Sequence, residues 1–232
     1  MSRLAEAVDL VVFDFDGTIC ESANVKTEAF YELYLDEQGS GFASAVRDYH
    51  LQFAGISRYA KIRYVEETML GRPCTEQRMD EVADRFGDLV RGQVIASPLV
   101  PGVAEFFASH LGDVPMLVAS ATPTDELRSI IAARGMEDWF DDVEGSPALK
   151  GDIITGFLER RRVRRDRAVM VGDQFSDIDA AQAAGVLFVG YRSANEERLF
   201  DESVPVVNDF ADLPAAIAAV AGAATASGSH GG

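Results

Sequence analysis

Residues 8–18 of the chain read VDLVVFDFDGT. The first six residues form a short, mostly apolar run that is rich in valine. Such a run is typical of a buried strand that ends at the following turn. Parallel sheets in α/β proteins place their chemistry at the carboxyl ends of strands. Asp14 and Asp16 lie at such an end, and two adjacent carboxylates are costly unless a cation shares them or one holds a proton. The segment therefore predicts a first strand with functional acids at its tip, although the motif alone leaves open a turn without chemistry.

Strands and helices alternate from Pro98 onward. Apolar runs predict strands at 114–119, 168–171 and 186–189, and helical spacing predicts intervening helices at 101–110, 123–134 and 176–184. This alternation favours a Rossmann-like α/β fold, a parallel-sheet core with helices on both faces.

The segment between the first strand and this alternation is helical in pattern. Helices are predicted at 25–35, 57–70 and 75–90, the last two preceded by the capping residues Ser57 and Thr75. We therefore expect a catalytic core made of residues 1–20 and 96–232, with an all-helical cap domain inserted at 21–95. The Ser- and Gly-rich end, 225–232, is expected to be a disordered tail.

Composition excludes several classes of protein. The chain has 232 residues, 47% of them hydrophobic, which is enough for a sizeable core. Its net charge of −17 disfavours nucleic acids and anionic membranes as partners. Two cysteines are too few for a disulfide framework, and no signal peptide or membrane span is evident. We expect a cytoplasmic monomer or homodimer that admits an anionic substrate through a local cation and a few basic groups.

The Asp-x-Asp-Gly-Thr motif at 14–18 resembles that of the haloacid dehalogenase superfamily. The resemblance implies that Asp14 is a nucleophile that forms an aspartyl-phosphate. It implies that Asp16 protonates the leaving oxygen and then deprotonates the attacking water. It also places Gly17 and Thr18 among the substrate-binding residues.

Three later segments match the remaining motifs of that superfamily. Ser120 and Ala121 follow the second predicted strand, and the resemblance gives them contacts with the transferring phosphoryl group; helix capping is the alternative for Ser120. Lys150 is the last of three lysines in a chain that otherwise uses arginine, which suggests a point charge at a phosphate. It is followed by Gly151, where the superfamily often has proline.

The fourth motif, VMVGDQFSDIDA at 169–180, combines a strand, a Gly-Asp turn and a helix with a further acid. By resemblance Asp14, the main-chain carbonyl of Asp16 and Asp173 bind Mg²⁺, with Asp177 as an outer carboxylate or occasional ligand. Mg²⁺ prefers such oxygen ligands, with substrate phosphate and water completing its shell.

Asp16 also indicates which branch of the haloacid dehalogenase superfamily the chain resembles. A halide leaving group needs no proton, so a carboxyl group two residues after the nucleophile favours phosphate-ester chemistry. In the predicted cap, Gly55, Ser57 and Arg58 resemble the substrate loop of helical-cap, β-phosphoglucomutase-like enzymes. The sequence thus predicts a Mg²⁺-dependent phosphatase for a small phosphorylated metabolite, such as a sugar phosphate or a phosphoglycolate-like ester. A sugar phosphomutase is the alternative, and a catalytically idle binding protein is a further one.

Overall fold

The computed structural model describes residues 3–53, 55–193 and 199–228. Contacts within the chain divide it into two compact units. We call Met1–Glu21 together with Leu99–Gly232 the core unit, and Ser22–Pro98 the helical unit. No helix among the described residues is both long and apolar enough to cross a membrane.

The core unit is built on a six-stranded sheet in the order β3-β2-β1-β4-β5-β6, with every neighbouring pair parallel. The strands are β1 (Leu10–Phe13), β2 (Met116–Pro123), β3 (Asp142–Ser146), β4 (Ala168–Gly172), β5 (Leu187–Tyr191) and β6 (Val206–Val207). This confirms the predicted Rossmann-like α/β fold class. β3 and β6 were not predicted, and β2 continues four residues beyond its predicted end.

Helices connect parallel strands of the sheet, as parallel pairing requires. The connecting helices are α6 (Val103–His110), α7 (Thr124–Ala133), α8 (Lys150–Arg161) and α9 (Phe175–Ala184). Two more helices, α1 (Arg3–Ala7) and α10 (Leu213–Gly228), lie before β1 and after β6, and 3₁₀ turns occur at Glu137–Trp139, Arg165–Arg167 and Phe210–Asp212. Because α10 reaches Gly228, helix occupies the first four residues of the tail predicted to be disordered, and residues 229–232 lie outside the described part of the chain.

β1 occupies the middle of the sheet and is buried on both faces. Its four residues are fully inaccessible to solvent. Alternating side chains of a strand point to opposite faces. Leu10 and Val12 accordingly join the apolar cluster under α8 and α9, whereas the Phe13 ring contacts Phe106, Phe107 and Phe210. Burial on both faces explains the continuous apolar run in the sequence.

This position brings the ends of β1 and β4 together. Phe13 pairs with Val171, and the Asp14 amide donates to the Val171 carbonyl at 2.9 Å. The residue that follows β1 therefore lies beside the residues that follow β4.

The helical unit contains α2 (Ala23–Gln38), α3 (Ser40–Gln52), α4 (Arg58–Tyr64) and α5 (Glu76–Ala96), with a π-helical turn at Val65–Met69 after α4. Ser57 and Thr75 cap α4 and α5 as predicted, since their hydroxyls accept from the Tyr59 and Arg78 amides. The sequence predicted one helix over 57–70; the structure changes to π geometry halfway, and α3 was not predicted.

Candidate active site

The site begins with the loop that follows β1. Asp14 is only 4% exposed and Asp16 is half-buried. The loop closes on itself, because the Gly17 amide donates to the Cys20 carbonyl at 2.8 Å and the Cys20 amide to the Phe15 carbonyl at 3.1 Å. The closed loop fixes both acids of the motif at the carboxyl end of β1.

Two further acids approach from the end of β4. Asp173 follows the strand directly, and Asp177 lies in the first turn of α9; both are buried. Carboxylate oxygens of Asp14, Asp173 and Asp177 lie within 4.8 Å of one another. Residues separated by about 160 positions in the sequence thus form one acidic cluster.

Lys150 supplies a cation to this cluster. It is the first residue of α8 and is 8% exposed. Its Nζ lies 2.6 Å from Asp177 Oδ1 and 3.0 Å from Asp14 Oδ1. One ammonium group therefore bridges the carboxylates of β1 and α9.

Burial and mutual repulsion govern the charges of these acids. Burial raises the pKa of Asp14 to about 7, although the Lys150 charge acts to lower it. Burial, and then the charges of Asp14 and Asp177, raise the pKa of Asp173 well above its ordinary value. Burial alone would lower the pKa of Lys150, but Asp14 and Asp177 outweigh it and raise that pKa. The lysine is charged, and it does not neutralise all three acids.

The same cluster suits a hard divalent cation. Three carboxylates and one ammonium leave two negative charges when all are ionised. Lys150 Nζ, at 3.0 Å, is the positive charge that faces Asp14 Oδ1. Mg²⁺ is usually held by one or two carboxylates, with water and substrate phosphate completing its shell, and this cluster offers carboxylate oxygens of that kind.

Neighbouring side chains orient Asp173. The Thr18 hydroxyl donates to its Oδ1 at 2.8 Å, and Gln174 Nε2 donates to its Oδ2 at 2.7 Å. Thr18, a predicted substrate-binding residue, thus bonds to this carboxylate, and its contact with substrate stays a prediction. Gln174 also caps α9 in a reciprocal capping box with Asp177.

The carboxylates of Asp173 and Asp177 pack so closely against the backbone that two positions require glycine. A Cβ on Gly17 would lie 2.4 Å from Asp173 Oδ2, and a Cβ on Gly172 would lie 2.4 Å from Asp177. Gly17 also has φ of +87°, a conformation that side chains disfavour. Gly17 therefore lets Asp173 approach the β1 loop rather than serving only as a turn residue.

The end of β2 contributes Ser120, Ala121 and Thr122. Ser120 is 1% exposed, and its hydroxyl accepts from the Thr122 amide at 3.1 Å. The Thr122 hydroxyl donates to Asp16 Oδ2 at 2.9 Å. Ser120 and Ala121 lie inside the long strand β2, not after it as predicted, and Thr122 was not among the predicted site residues.

The residues predicted for substrate selection belong to the helical unit. Gly55 lies in the turn before α4, and Ser57 and Arg58 begin that helix. Arg58 is 6% exposed, and its guanidinium lies 4.7 Å from the centroid of the Phe86 ring. Ser57 Oγ accepts from the Tyr59 amide, so it acts as a cap.

An arginine-rich segment, 160–167, runs from the end of α8 to the turn before β4. Four of its arginines form ion pairs with acids of the core unit. The pairs are Arg160–Glu144, Arg161–Asp141, Arg164–Asp166 and Arg167–Asp9. These contacts explain the segment as an ion-paired surface of the core unit.

Curated proteins of known name are similar in sequence to this chain. The tyrosine-protein kinase PtkA of Mycobacterium tuberculosis (strain H37Rv) is 27% identical over 220 residues, which cover 91% of this chain and 72% of PtkA. The phosphoglycolate phosphatase of Photobacterium profundum is 28% identical over 199 residues, 80% of this chain and 83% of that enzyme.

Solved structures share the fold. CbbY from Rhodobacter sphaeroides, in complex with xylulose-(1,5)-bisphosphate, matches with a TM-score of 0.69 and 19% identity over 89% of this chain and 96% of CbbY. The family model for haloacid dehalogenase-like hydrolases matches residues 8–185, a range that contains β1, β2, β4 and all four acidic and basic residues of the cluster. The chain therefore belongs to the haloacid dehalogenase-like hydrolases.

Proposed function

We propose that this protein is a Mg²⁺-dependent phosphatase that hydrolyses a small phosphorylated metabolite in the cytoplasm through an aspartyl-phosphate on Asp14. The observation that carries the proposal is the buried cluster in which Asp14 faces Lys150 and two further carboxylates. The named phosphatases among the relatives support the same reaction class.

The proposed reaction has two chemical steps. An Asp14 oxygen attacks phosphorus while the ester oxygen leaves with a proton from Asp16. Asp16 then takes a proton from water as the water oxygen bonds to phosphorus, and the bond to Asp14 breaks to release inorganic phosphate. Lys150 holds Asp14 in place and offsets negative charge on the phosphoryl oxygens. Ser120 and the amide of Ala121 would contact the same oxygens.

Mg²⁺ fits the acidic cluster. Asp14, Asp173 and Asp177, with the main-chain carbonyl of Asp16, would hold it. When bound, the ion would neutralise charge that develops on the transferring phosphoryl group. Its two positive charges would also balance the two negative charges that Lys150 leaves in the cluster.

The helical unit would act as a cap domain that selects the substrate, with Gly55, Ser57 and Arg58 as its selecting residues. A buried guanidinium can bind a carboxylate or a second phosphate with two parallel hydrogen bonds. The named activities of the relatives, on phosphoglycolate and on phosphorylated carbohydrates, involve compounds with such groups or with polar hydroxyls. We therefore propose sugar phosphates and phosphoglycolate-like esters as the substrate class.

The direct test compares the native chain with Asp14→Asn. The native protein should hydrolyse p-nitrophenyl phosphate with Mg²⁺ and lose this activity with a chelator, and Asp14→Asn should be inactive with an unchanged circular dichroism spectrum. Turnover that survives the substitution would remove Asp14 from the mechanism, and turnover that survives the chelator would remove the ion.

A second candidate is phosphoryl transfer to a hydroxyl group, which the similarity to a protein named as a tyrosine kinase favours. Such a transferase, like a sugar phosphomutase, replaces water by another acceptor in the second step. Hydrolysis predicts one inorganic phosphate per substrate consumed. Phosphotyrosine formed from ATP, or an isomerised hexose phosphate without phosphate release, would establish the transferase instead.

A further inference from the structure

The end of β2 contains an irregularity that aims one hydroxyl at Asp16. Ala119 pairs with Glu144 and Pro123 pairs with Ser146, so four steps along β2 correspond to two along β3. The extra residues form a bulge at 120–122. Bulges next to active sites commonly redirect a side chain.

Local contacts hold this bulge in one conformation. The Ser120 hydroxyl accepts from the Thr122 amide at 3.1 Å, which closes a short turn. The Thr122 carbonyl packs against Gly145, where a Cβ would lie 1.9 Å from the carbonyl oxygen. The next threonine, Thr124, bonds to the Gly145 amide at 2.9 Å and fixes the facing strand. The backbone on both sides of Thr122 is thus constrained, and its side chain is directed by the fold.

The directed side chain contacts the proposed acid and base. Thr122 is 2% exposed, and its Oγ1 donates to Asp16 Oδ2 at 2.9 Å. A hydroxyl that donates to one carboxyl oxygen fixes the rotation of the group and leaves the acid proton to the other oxygen. Hydrogen bonds to charged groups are also stronger than those between neutral groups. The contact would therefore hold the Asp16 carboxyl group in place both when it gives a proton to the leaving oxygen and when it takes one from water.

We propose that Thr122 is a positioning residue that orients the Asp16 carboxyl group for proton transfer to the leaving oxygen and from the attacking water. The inference rests on the proposed function, because Asp16 has these roles only in a phosphatase. Thr122 itself exchanges no proton with substrate. The contribution of Thr122 to kcat/KM should be largest for esters whose leaving group must be protonated as it departs.

The test compares Thr122→Val with Thr122→Ser on p-nitrophenyl phosphate, phenyl phosphate and an alkyl phosphate. Since kcat/KM reports the step up to departure of the leaving group, Thr122→Val should lower it by roughly ten- to hundredfold for the alkyl ester. For p-nitrophenyl phosphate, whose leaving group needs no proton, kcat/KM should change by less than about threefold. Hydrolysis of the aspartyl-phosphate is the same step for every substrate. In Thr122→Val, kcat should therefore fall for each substrate whose turnover is limited by this hydrolysis.

Thr122→Ser keeps the hydroxyl and should restore the native dependence on the leaving group. Thr155→Val is the matched control, because it removes a half-buried hydroxyl that bonds only to the Gly151 carbonyl within α8 among the contacts described. An equal loss of kcat/KM for all three esters in Thr122→Val, or no loss for any, would overturn the inference. Either result leaves the proposed function standing, since that depends on Asp14→Asn.

Discussion

A single lysine is shared between two buried carboxylates at the end of the sheet. Lys150 contacts Asp14 and Asp177 at 3.0 and 2.6 Å, while Asp173 receives its hydrogen bonds from Thr18 and Gln174. This division keeps the Asp14 carboxylate next to a positive charge, with Lys150 Nζ 3.0 Å from its Oδ1. A carboxylate in that state can offer a lone pair to phosphorus or to a cation.

Gly17→Ala tests the tight contact between the β1 loop and β4. The new methyl group would overlap the Asp173 carboxylate and would also occupy a left-handed conformation. We expect at least a tenfold loss of kcat/KM because Asp173 must move, in addition to about 1–2 kcal/mol of strain. Activity on p-nitrophenyl phosphate and urea unfolding measure the two effects.

Gly135→Ala is the control for this substitution. Gly135 has φ of +66° and nothing within 4 Å of its Cβ position, so only the backbone strain should remain. Native activity in Gly17→Ala, with stability reduced equally in both variants, would show that the contact with Asp173 has no catalytic value.

The sequence predicts single residues well where a motif ends a strand. Asp14 and Asp173 could be expected near each other because both follow apolar runs of one parallel sheet. Thr122 and Gln174 could not, since their roles depend on a bulge and on a capping box that join distant segments. The Thr18 contact with Asp173, 155 residues away, likewise depends on the tertiary fold.

At the scale of secondary structure, the π-helical turn at Val65–Met69 concentrates charge inside the helical unit. Glu66 is fully buried there and accepts hydrogen bonds from Arg72, Arg78 and Tyr34. Burial alone would raise the pKa of Glu66, but the two arginines hold it below its ordinary value. The network joins the turn to α2 and α5.

Glu66→Ala should therefore destabilise the helical unit by about 1–3 kcal/mol, because Tyr34 and two arginines would lose hydrogen bonds to it while the arginines keep Glu37 as a partner. Since the pKa of Glu66 is lower in the folded state, its contribution is present above the ordinary carboxyl pKa and is lost as pH falls through the folded value. Native-state hydrogen exchange of α2 and α5 measures the change.

Glu67→Ala, one residue along the same turn, removes an exposed partner of Arg63 and should cost less than about 0.5 kcal/mol. Equal destabilisation by the two substitutions would contradict a special role for the buried network.

Several elements were predictable and others were not, for physical reasons. Continuous apolar runs identify β1 and β4, which are buried on both faces. β3, with sequence DVEGS, has little intrinsic strand preference and forms because it pairs with β2. α3 begins with Ser-Gly-Phe-Ala-Ser, and its weak helix formers conceal a helix that packing against α2 stabilises.

For the whole molecule, charge distribution fits a small anionic substrate. The chain has a net charge of −17, yet Lys150 is buried in the core unit and Arg58 is buried in the helical unit. Buried basic residues are rare unless they are paired, and Lys150 is paired with Asp14 and Asp177. The motifs predicted the reaction class, whereas the residues proposed to select the metabolite lie in the helical unit, outside those motifs.

Arg58→Ala should lower kcat/KM at least tenfold for the best substrate in a panel of phosphorylated metabolites and should leave p-nitrophenyl phosphate nearly unchanged. The reason is that only the metabolite carries a second group for the guanidinium to bind. Arg63→Ala is the control, because that arginine lies on the same helix and is exposed, with Glu67 as its partner. Equal losses on both kinds of substrate would make Arg58 a structural residue.

Trapping of the phosphoryl group tests the chemistry of Asp14 most directly. Asp16→Asn, mixed with p-nitrophenyl phosphate and Mg²⁺ and quenched with acid, should accumulate the intermediate because its formation needs no acid and its hydrolysis needs the base. Mass spectrometry of the digested protein should find one phosphoryl group on the peptide that contains Asp14, and none after Asp14→Asn. A phosphoryl group on another residue, or none in a protein whose native form turns over, would contradict an aspartyl-phosphate at Asp14.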